Sequence, residues 1–182
     1  MKTSSLLLFA GLLGVAACSK DKSDAPQPAP GSANSAGNVL SATVGSSPFQ
    51  ASGTSDVDGT RVAVMSPDEG PARLVLRGRS GNNDITLSLV RFTGTGTYTV
   101  LPAGPNVASY SEGTSSATSY NSQFMPGTAA VGQVVVTSWD PATRRIQGSF
   151  SFSGRPRISS GSYGPVQQVT AGSFTVSNVF SF

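Results

Sequence analysis

Acidic side chains are the main candidates for catalysis in this sequence. The chain has no histidine, its one cysteine is Cys18, and its lysines stand only at positions 2, 20 and 22. These absences exclude Ser-His-Asp and Cys-His arrangements, histidine metal sites and a catalytic lysine in the C-terminal part. A carboxylate-dependent hydrolase would need two acids about 5–10 Å apart across a cleft. The candidates for such a pair are Asp56, Asp58, Glu112 and Asp140.

The sequence around these acids is more typical of turns than of a catalytic or metal site. The segment DVDG at residues 56–59 resembles a fragment of a calcium loop, but the later ligands and the closing glutamate are missing. Its Asp-Gly pair is more typical of a turn, here one that leads into a strand at Arg61. Asp140 begins a second turn, and Glu112 lies in a Ser/Thr/Gly-rich segment. We therefore predict no catalytic residue, metal site or cofactor, and a protein that is not an enzyme.

Aromatic side chains are the main candidates for binding. Residues 108–124 form the longest stretch without clear strand alternation, which predicts a long loop of the kind that carries binding residues. An aromatic face can stack on a sugar ring while nearby polar groups bind its hydroxyls. The candidates are Tyr110, Tyr120, Phe124, Trp139 and Tyr163. Alternatively, the tyrosines fold back on the protein and Trp139 lies in the core.

The charge of the chain does not predict a nucleic-acid partner. Residues 39–182 contain nine arginines and seven acids, a net charge of only +2. The sequence pI of about 9.4 therefore reflects few titrating groups and not a basic patch. Arg73, Arg77 and Arg79 alternate along one predicted strand. They could bind an anion, or form a solvated face with cross-strand partners.

The segments that must position these residues have the pattern of β-strands. Short runs rich in Val, Thr, Phe and Tyr alternate in period two between Gly, Pro, Asn, Asp and Ser. No window has a helical stripe, and the connections are too short for crossover helices. Residues 39–182 are therefore predicted to form one all-β domain, an antiparallel β-sandwich or flattened barrel of about nine or ten strands. The predicted strands are 39–44, 48–52, 61–65, 72–79, 84–92, 96–101, 108–111, 133–139, 144–153 and 169–180.

Two hairpins test this pattern. A loop at residues 80–83 places Arg79 opposite Asp84 and Leu76 opposite Leu87. The polar residues of both predicted strands then lie on the same, solvent-exposed face. The second hairpin turns near Asp140, where valines on both faces leave the register open between a three-residue and a four-residue loop.

The N-terminus predicts export and lipidation. Lys2, an apolar run over residues 6–15 and the small residues before Cys18 are typical of a secretory signal peptide, here residues 1–17. The run is too short to cross a bilayer as a helix. The sequence VAAC, which ends at Cys18, resembles the lipobox of bacterial lipoproteins, in which the cysteine thiol becomes a thioether with diacylglycerol. Such a use explains a single cysteine, and the acyl chains would anchor the protein in a membrane.

Residues 18–38 are predicted to be the lipidated cysteine and a flexible tether. From Ser19 to Asn38 there is no Val, Ile, Leu, Met, Phe, Trp or Tyr, so the segment has nothing to bury. By resemblance to lipoprotein sorting rules, Ser19 indicates the outer membrane. Residues 20–24, KDKSD, resemble the signals that carry Bacteroidota lipoproteins to the cell surface. We expect a lipid-anchored outer-membrane protein with a monomeric domain, at the cell surface in preference to the periplasmic face.

Four segments carry a resemblance to a known family. They are ATVGSSPFQA at residues 42–51, GTGTYTV at 94–100, GQVVVTSWDPATRRIQGSFSFSG at 132–154 and VTAGSFTVSNV at 169–179. Together they resemble the Bacteroidota lipoproteins of domain-of-unknown-function family 6252. The resemblance implies an all-β fold and a lipoprotein, and it supplies no site residues.

These observations predict a binding module at the cell envelope, with a glycan or an envelope protein as its partner. Two alternatives stay open: a structural or assembly accessory lipoprotein with no small ligand, and the carboxylate-dependent hydrolase described above.

Overall fold

The computed structural model describes residues 37–62, 72–113, 118–159, 161–177 and 179–181. The predicted signal peptide and nearly all of the predicted tether, residues 1–36, lie outside this range. None of the described residues form a helix that is long and apolar enough to cross a membrane. The strands are β1 (Val39–Val44), β2 (Ser47–Ser52), β3 (Val57–Val62), β4 (Arg73–Ser80), β5 (Asn83–Val90), β6 (Gly96–Val100), β7 (Val107–Glu112), β8 (Thr118–Asn121), β9 (Gly132–Asp140), β10 (Arg145–Ser159), β11 (Ser162–Tyr163), β12 (Gln167–Val176) and β13 (Phe180–Ser181).

The described strands form one barrel-like sheet with two halves. The first half has the order β6-β9-β10-β12-β1-β2, and the second has the order β13-β3-β4-β5-β7-β8. The long strand β10 belongs to both, because its first part pairs with β9 and β12 and its later residues Arg155 and Pro156 pair with β8. All described pairings are antiparallel except that of β13 with β3. The prediction of an all-β antiparallel sandwich or flattened barrel is confirmed.

The core lies between the two halves, where period-two alternation turns apolar side chains inward. The inward residues of the first half include Leu40, Val44, Phe49, Val134, Val136, Ile146, Phe150, Phe152, Val169, Phe174 and Val176. Those of the second half include Val57, Leu74, Leu76, Ile85, Leu87, Leu89, Ala108 and Tyr110.

The β1–β2 hairpin crosses the strands of the second half. Leu40 packs on Gly78, where an added Cβ would lie 3.0 Å from the Leu40 Cβ. Phe49 packs edge-on against Tyr110, with ring centroids 6.5 Å apart. Gly78 and Tyr110 both pair with Ile85, one from each side, so the hairpin passes from one strand to the next across the sheet. This crossing brings the β1–β2 turn to the end of β7.

Two Gly-Ser-Phe segments form a tightly packed seam in the first half. Gly148 of β10 lies opposite Phe174 of β12, and Phe150 lies opposite Gly172. The two phenylalanine rings are stacked with centroids 6.4 Å apart. A Cβ on Gly148 would lie 2.1 Å from the Val135 carbonyl oxygen, so only glycine fits. We refer to Gly148, Phe150, Gly172 and Phe174 as the Gly–Phe seam.

The β4–β5 hairpin has the predicted register. Arg79 faces Asp84 and Leu76 faces Leu87. Both strands extend one residue further than expected, which leaves a two-residue turn at Gly81 and Asn82. The alternation on the two strands therefore sufficed to fix this hairpin.

The second hairpin combines a four-residue turn with a bulge. Its strands meet at Asp140 and Arg145, and the register shifts between Gln147 and Gly148. Beyond the shift, Val136 lies opposite Gly148. With a four-residue turn alone, the valines would point away from the core. The bulge adds one residue to one strand, and the valines therefore point inward.

Several predicted strand boundaries are wrong, by six residues at the end of β10, which runs to Ser159 and not to residue 153. Strand β3 begins at Val57, so Asp58 and Gly59 belong to a strand and not to a turn before Arg61. Gly59 is there for packing: a Cβ on it would lie 3.0 Å from a Leu76 methyl group. Strand β12 ends at Val176, and the chain then adds β13 beside β3 instead of continuing to residue 180.

Candidate functional site

In its described residues, 108–113 and 118–124, the polar tract is mostly a pair of strands and not the predicted long loop. Strands β7 and β8 pair through it, with Tyr110 opposite Tyr120 and Glu112 opposite Thr118. A single turn of 3-10 helix, Ser122–Phe124, follows β8. The prediction failed because serine, threonine and asparagine fill the alternate positions, so the period-two pattern had little hydrophobic contrast.

Two tyrosines hold a carboxylate at the end of this hairpin. The rings of Tyr110 and Tyr120 are stacked with centroids 5.9 Å apart. The Tyr120 hydroxyl donates to Glu112 Oε1 at 3.0 Å, and the Tyr110 hydroxyl donates to Glu112 Oε2 at 3.4 Å. Tyr110 and Glu112 are two residues apart, so strand geometry places them on one face. We call these three residues the Glu112 cluster.

The cluster raises the pKa of both phenols. Burial, reinforced by the negative charge and hydrogen bond of Glu112, raises the pKa of Tyr110 to about 12. The same causes, with burial again the largest, raise the pKa of Tyr120 above its ordinary value. Both hydroxyls are therefore permanent donors to the carboxylate.

The Glu112 cluster borders a cleft of about 350 Å³, which we call the Glu112 cleft. Its described lining comes from the β1–β2 turn, the start of β5, the end of β7 and the start of β12. The lining residues are Val44, Gly45, Ser46, Ser47, Pro48, Phe49, Asn83, Tyr110, Glu112 and Gln167. They offer three hydroxyls, two amides, two aromatic rings and, among the described residues, one carboxylate.

The cleft lies far from the point at which the chain enters the domain. Val39 is the first residue of β1, whereas Val44, the last, lines the cleft. Five residue steps of about 3.3 Å separate Val39 from Val44, so the two points lie about 17 Å apart.

The five aromatic residues predicted for binding fall into three groups. Tyr110 and Tyr120 belong to the Glu112 cluster. Phe124 and Tyr163 contact each other, with ring centroids 5.7 Å apart. Trp139 packs edge-on against Phe92, which in turn stacks on Tyr98. The structure therefore does not join the five into one stacking surface.

An arginine links the second aromatic pair to the sheet. Arg155 lies over the Tyr163 ring, with its guanidinium carbon 4.5 Å from the centroid. Its Nε donates to the Phe124 carbonyl oxygen at 2.6 Å. Tyr163 is 39% exposed, so this group lies at the surface. Its arginine is occupied by local contacts.

The other candidate carboxylates are in separate surroundings. Asp140 caps its own turn: it accepts hydrogen bonds from the Thr143 hydroxyl and from the backbone N–H groups of Ala142 and Thr143. These bonds lower the pKa of Asp140, with the Thr143 hydroxyl as the largest cause. Asp58 faces Arg77 across β3 and β4. In the described part of the chain, no three acidic or cysteine side chains come together as a metal site would require.

Most of the cleft could not have been found in the sequence. Glu112 was a candidate only as an acid, and Tyr110 only as a stacking ring. Ser46, Asn83 and Gln167 gave no signal, because residues far apart in the chain meet only through the crossing of the β1–β2 hairpin over the second half.

The fold and the cleft together define a single all-β domain with a barrel-like sheet and a polar cleft at one end of β1. The model of one family, described as Domain of unknown function (DUF6252), matches residues 60–177, well over half of the chain. The protein belongs to this family. A search of curated proteins and a search of solved structures gave no match.

Proposed function

We propose that this protein is a non-enzymatic lipoprotein, anchored in the outer membrane through Cys18, whose domain binds a glycan in the Glu112 cleft. The observation that carries the proposal is the composition of the cleft. Hydroxyl, amide and carboxylate groups stand beside the apolar side chains of Val44 and Phe49. An envelope protein as the partner is the weaker choice, because this concave polar site fits a small ligand.

The chemistry of the cleft suits a sugar. Neighbouring sugar hydroxyls are donors and acceptors at once, and planar amide and carboxylate groups can bind two of them together. The C–H faces of a sugar ring pack on aromatic and aliphatic side chains. A volume of about 350 Å³ lies at the lower end of the range for small-molecule sites, which suits a short segment of a glycan.

The single carboxylate supports binding without hydrolysis. Glycoside hydrolysis ordinarily uses two acids on opposite sides of the scissile bond. Glu112 is the sole acidic residue among the described residues that line the cleft. Both of its oxygens already accept hydrogen bonds from tyrosines, and no second acid among the described lining residues stands across the cleft from it.

Glycan binding is tested with the full-length acylated protein in detergent. Titration calorimetry against neutral β-linked oligosaccharides should detect binding. The double variant Asn83→Ala/Gln167→Ala, which removes both cleft amides, should weaken it about tenfold or more. The matched control is Gln123→Ala/Gln133→Ala, which removes two exposed amides outside the cleft. Absence of saccharide binding, or equal loss in both variants, would reject the proposal in favour of an accessory lipoprotein without a small ligand.

The anchor and its side of the membrane are tested by proteinase treatment of intact cells. The domain of the wild-type protein should be degraded, and the Cys18→Ala variant should lose its fractionation with membranes. Protection of the wild-type domain until the outer membrane is broken would place it on the periplasmic face. A Cys18→Ala protein that still fractionates with the membrane would contradict the lipid anchor.

A further inference from the structure

Glu112 is a partly buried carboxylate with no basic partner in the described part of the chain. The ion pair found there joins Arg77 to Asp84, at 3.0 Å. Glu112 instead accepts hydrogen bonds from two neutral phenols. Removing part of an ionised carboxylate from water is costly, and a charged donor offsets this cost better than a neutral one. A positive partner that the described chain does not supply can come from a ligand.

The carboxylate has unused capacity to bind such a partner. Two oxygens offer about four hydrogen-bonding positions, and the tyrosines occupy one on each oxygen. The raised pKa of Tyr110, about 12, keeps its proton on the phenol, so hydrogen bonding disperses the charge of Glu112 without neutralising it. The remaining positions are therefore good acceptors for a charged donor.

The rest of the described cleft lining is uncharged. It supplies serine hydroxyls, the amides of Asn83 and Gln167, and apolar side chains, and it contains neither arginine nor lysine. Glu112 is therefore the one formal charge among the described lining residues. A concave site concentrates the field of its charges, which strengthens the attraction for a ligand of opposite sign.

We propose that the Glu112 cleft recognises a glycan that carries a free, protonated amine, as in a hexosamine without its N-acetyl group. The ammonium group donates to the open positions of Glu112, and neighbouring hydroxyls bind Asn83 and Gln167. This inference rests on the glycan binding proposed above, and it adds the charge of the ligand.

Three β-1,4-linked oligosaccharides of equal length isolate the amine: oligomers of glucosamine, of N-acetylglucosamine and of glucose. At pH 6, full-length protein in detergent should bind the glucosamine oligomer about tenfold or more tightly than the other two, since a charge-assisted hydrogen bond is worth more than a neutral one. The preference should decline as the amine loses its proton at higher pH, and it should decline with added salt.

Glu112→Gln should abolish the preference, so that the glucosamine oligomer binds no more tightly than the other two, and Asp140→Asn, which removes a carboxylate outside the cleft, should leave the preference intact. If Glu112→Gln does not fold, the pH and salt series on the wild-type protein still show whether the preference depends on the charge of the amine. Equal affinity for all three oligomers would overturn this inference and leave glycan binding standing. Binding of none would overturn both.

Discussion

The Gly–Phe seam and the Glu112 cluster both contain a stacked pair of aromatic rings, but the seam fills the core and the cluster supports a polar group. Each stacks two aromatic rings from adjacent antiparallel strands, with centroids 6.4 Å apart in the seam and 5.9 Å apart in the cluster. In the seam, each phenylalanine lies opposite a glycine, and the rings fill the space that a side chain would occupy. In the cluster, each ring ends in a hydroxyl that binds Glu112 beside a cleft.

The difference lies in what surrounds each pair of rings. The seam packs against backbone, which cannot move without breaking strand pairing, so it accepts no additional atom. The cluster packs against a side chain that borders open space, so its polar atoms can exchange partners. Aromatic pairs alone therefore do not identify a site in this fold. The polar group that the rings support, and the space beside it, do so.

The largest effect is expected from an added methyl group in the seam. Gly148→Ala would place a Cβ 2.1 Å from the Val135 carbonyl oxygen and 2.5 Å from the Phe174 ring. Strand and ring must both shift, so we expect a loss of about 4 kcal/mol or more in the free energy of unfolding. Urea unfolding followed by circular dichroism measures it.

Gly81→Ala is the control for that substitution. Nothing lies within 4 Å of the Cβ that it adds, so its cost comes only from the positive φ of +59°. That cost is about 1–2 kcal/mol. If Gly148→Ala cost no more than Gly81→Ala, the tight packing of the seam would be refuted.

An intermediate effect is expected from alkaline pH acting on the cluster. Folding raises the pKa of Tyr110 from 10.0 to about 12, so the folded state retains a proton that the unfolded state releases. The resulting stability is present in full below pH 10 and is lost as pH rises to 12. It amounts to at most about 3 kcal/mol at 1.36 kcal/mol per pKa unit.

Urea unfolding at pH 9 and at pH 11.5 measures this contribution. The fall in stability of the wild-type protein should exceed that of Tyr110→Phe, which has no phenol to titrate at this position. Parallel curves for the two proteins would show that Tyr110 is not coupled to folding in this way.

The smallest effect is expected at Tyr120 near neutral pH. Tyr120→Phe removes the 3.0 Å hydrogen bond to Glu112 but keeps the stacked ring. We expect a loss of about 1 kcal/mol in the free energy of unfolding, because the group is partly open to solvent, where water replaces the lost donor. Tyr163→Phe, at an exposed ring outside the cluster, should cost less. An equal cost at both positions would mean that the bond to Glu112 adds no stability.

A hairpin could be predicted from the sequence where its two faces differ clearly in polarity. In β4 and β5, leucines alternate with arginine, serine and threonine, so register and exposure could be read directly. In β7 and β8, polar residues occupy both faces, and the strand pairing was missed. The bulge before Gly148 was also invisible, because it depends on the fit of valines into a core that the sequence does not display.

The sequence by itself determined the all-β class, the bounds of β1 and the register of the best-patterned hairpin, because these depend on local alternation. It also carries the lipidation signal at Cys18, which remains a prediction. Tertiary structure alone decided that Tyr110, Tyr120 and Glu112 act together, and that Asn83 and Gln167 stand beside them. The physical reason is that strand pairing and the crossing of the β1–β2 hairpin decide which residues meet, and no local pattern of the sequence encodes that choice.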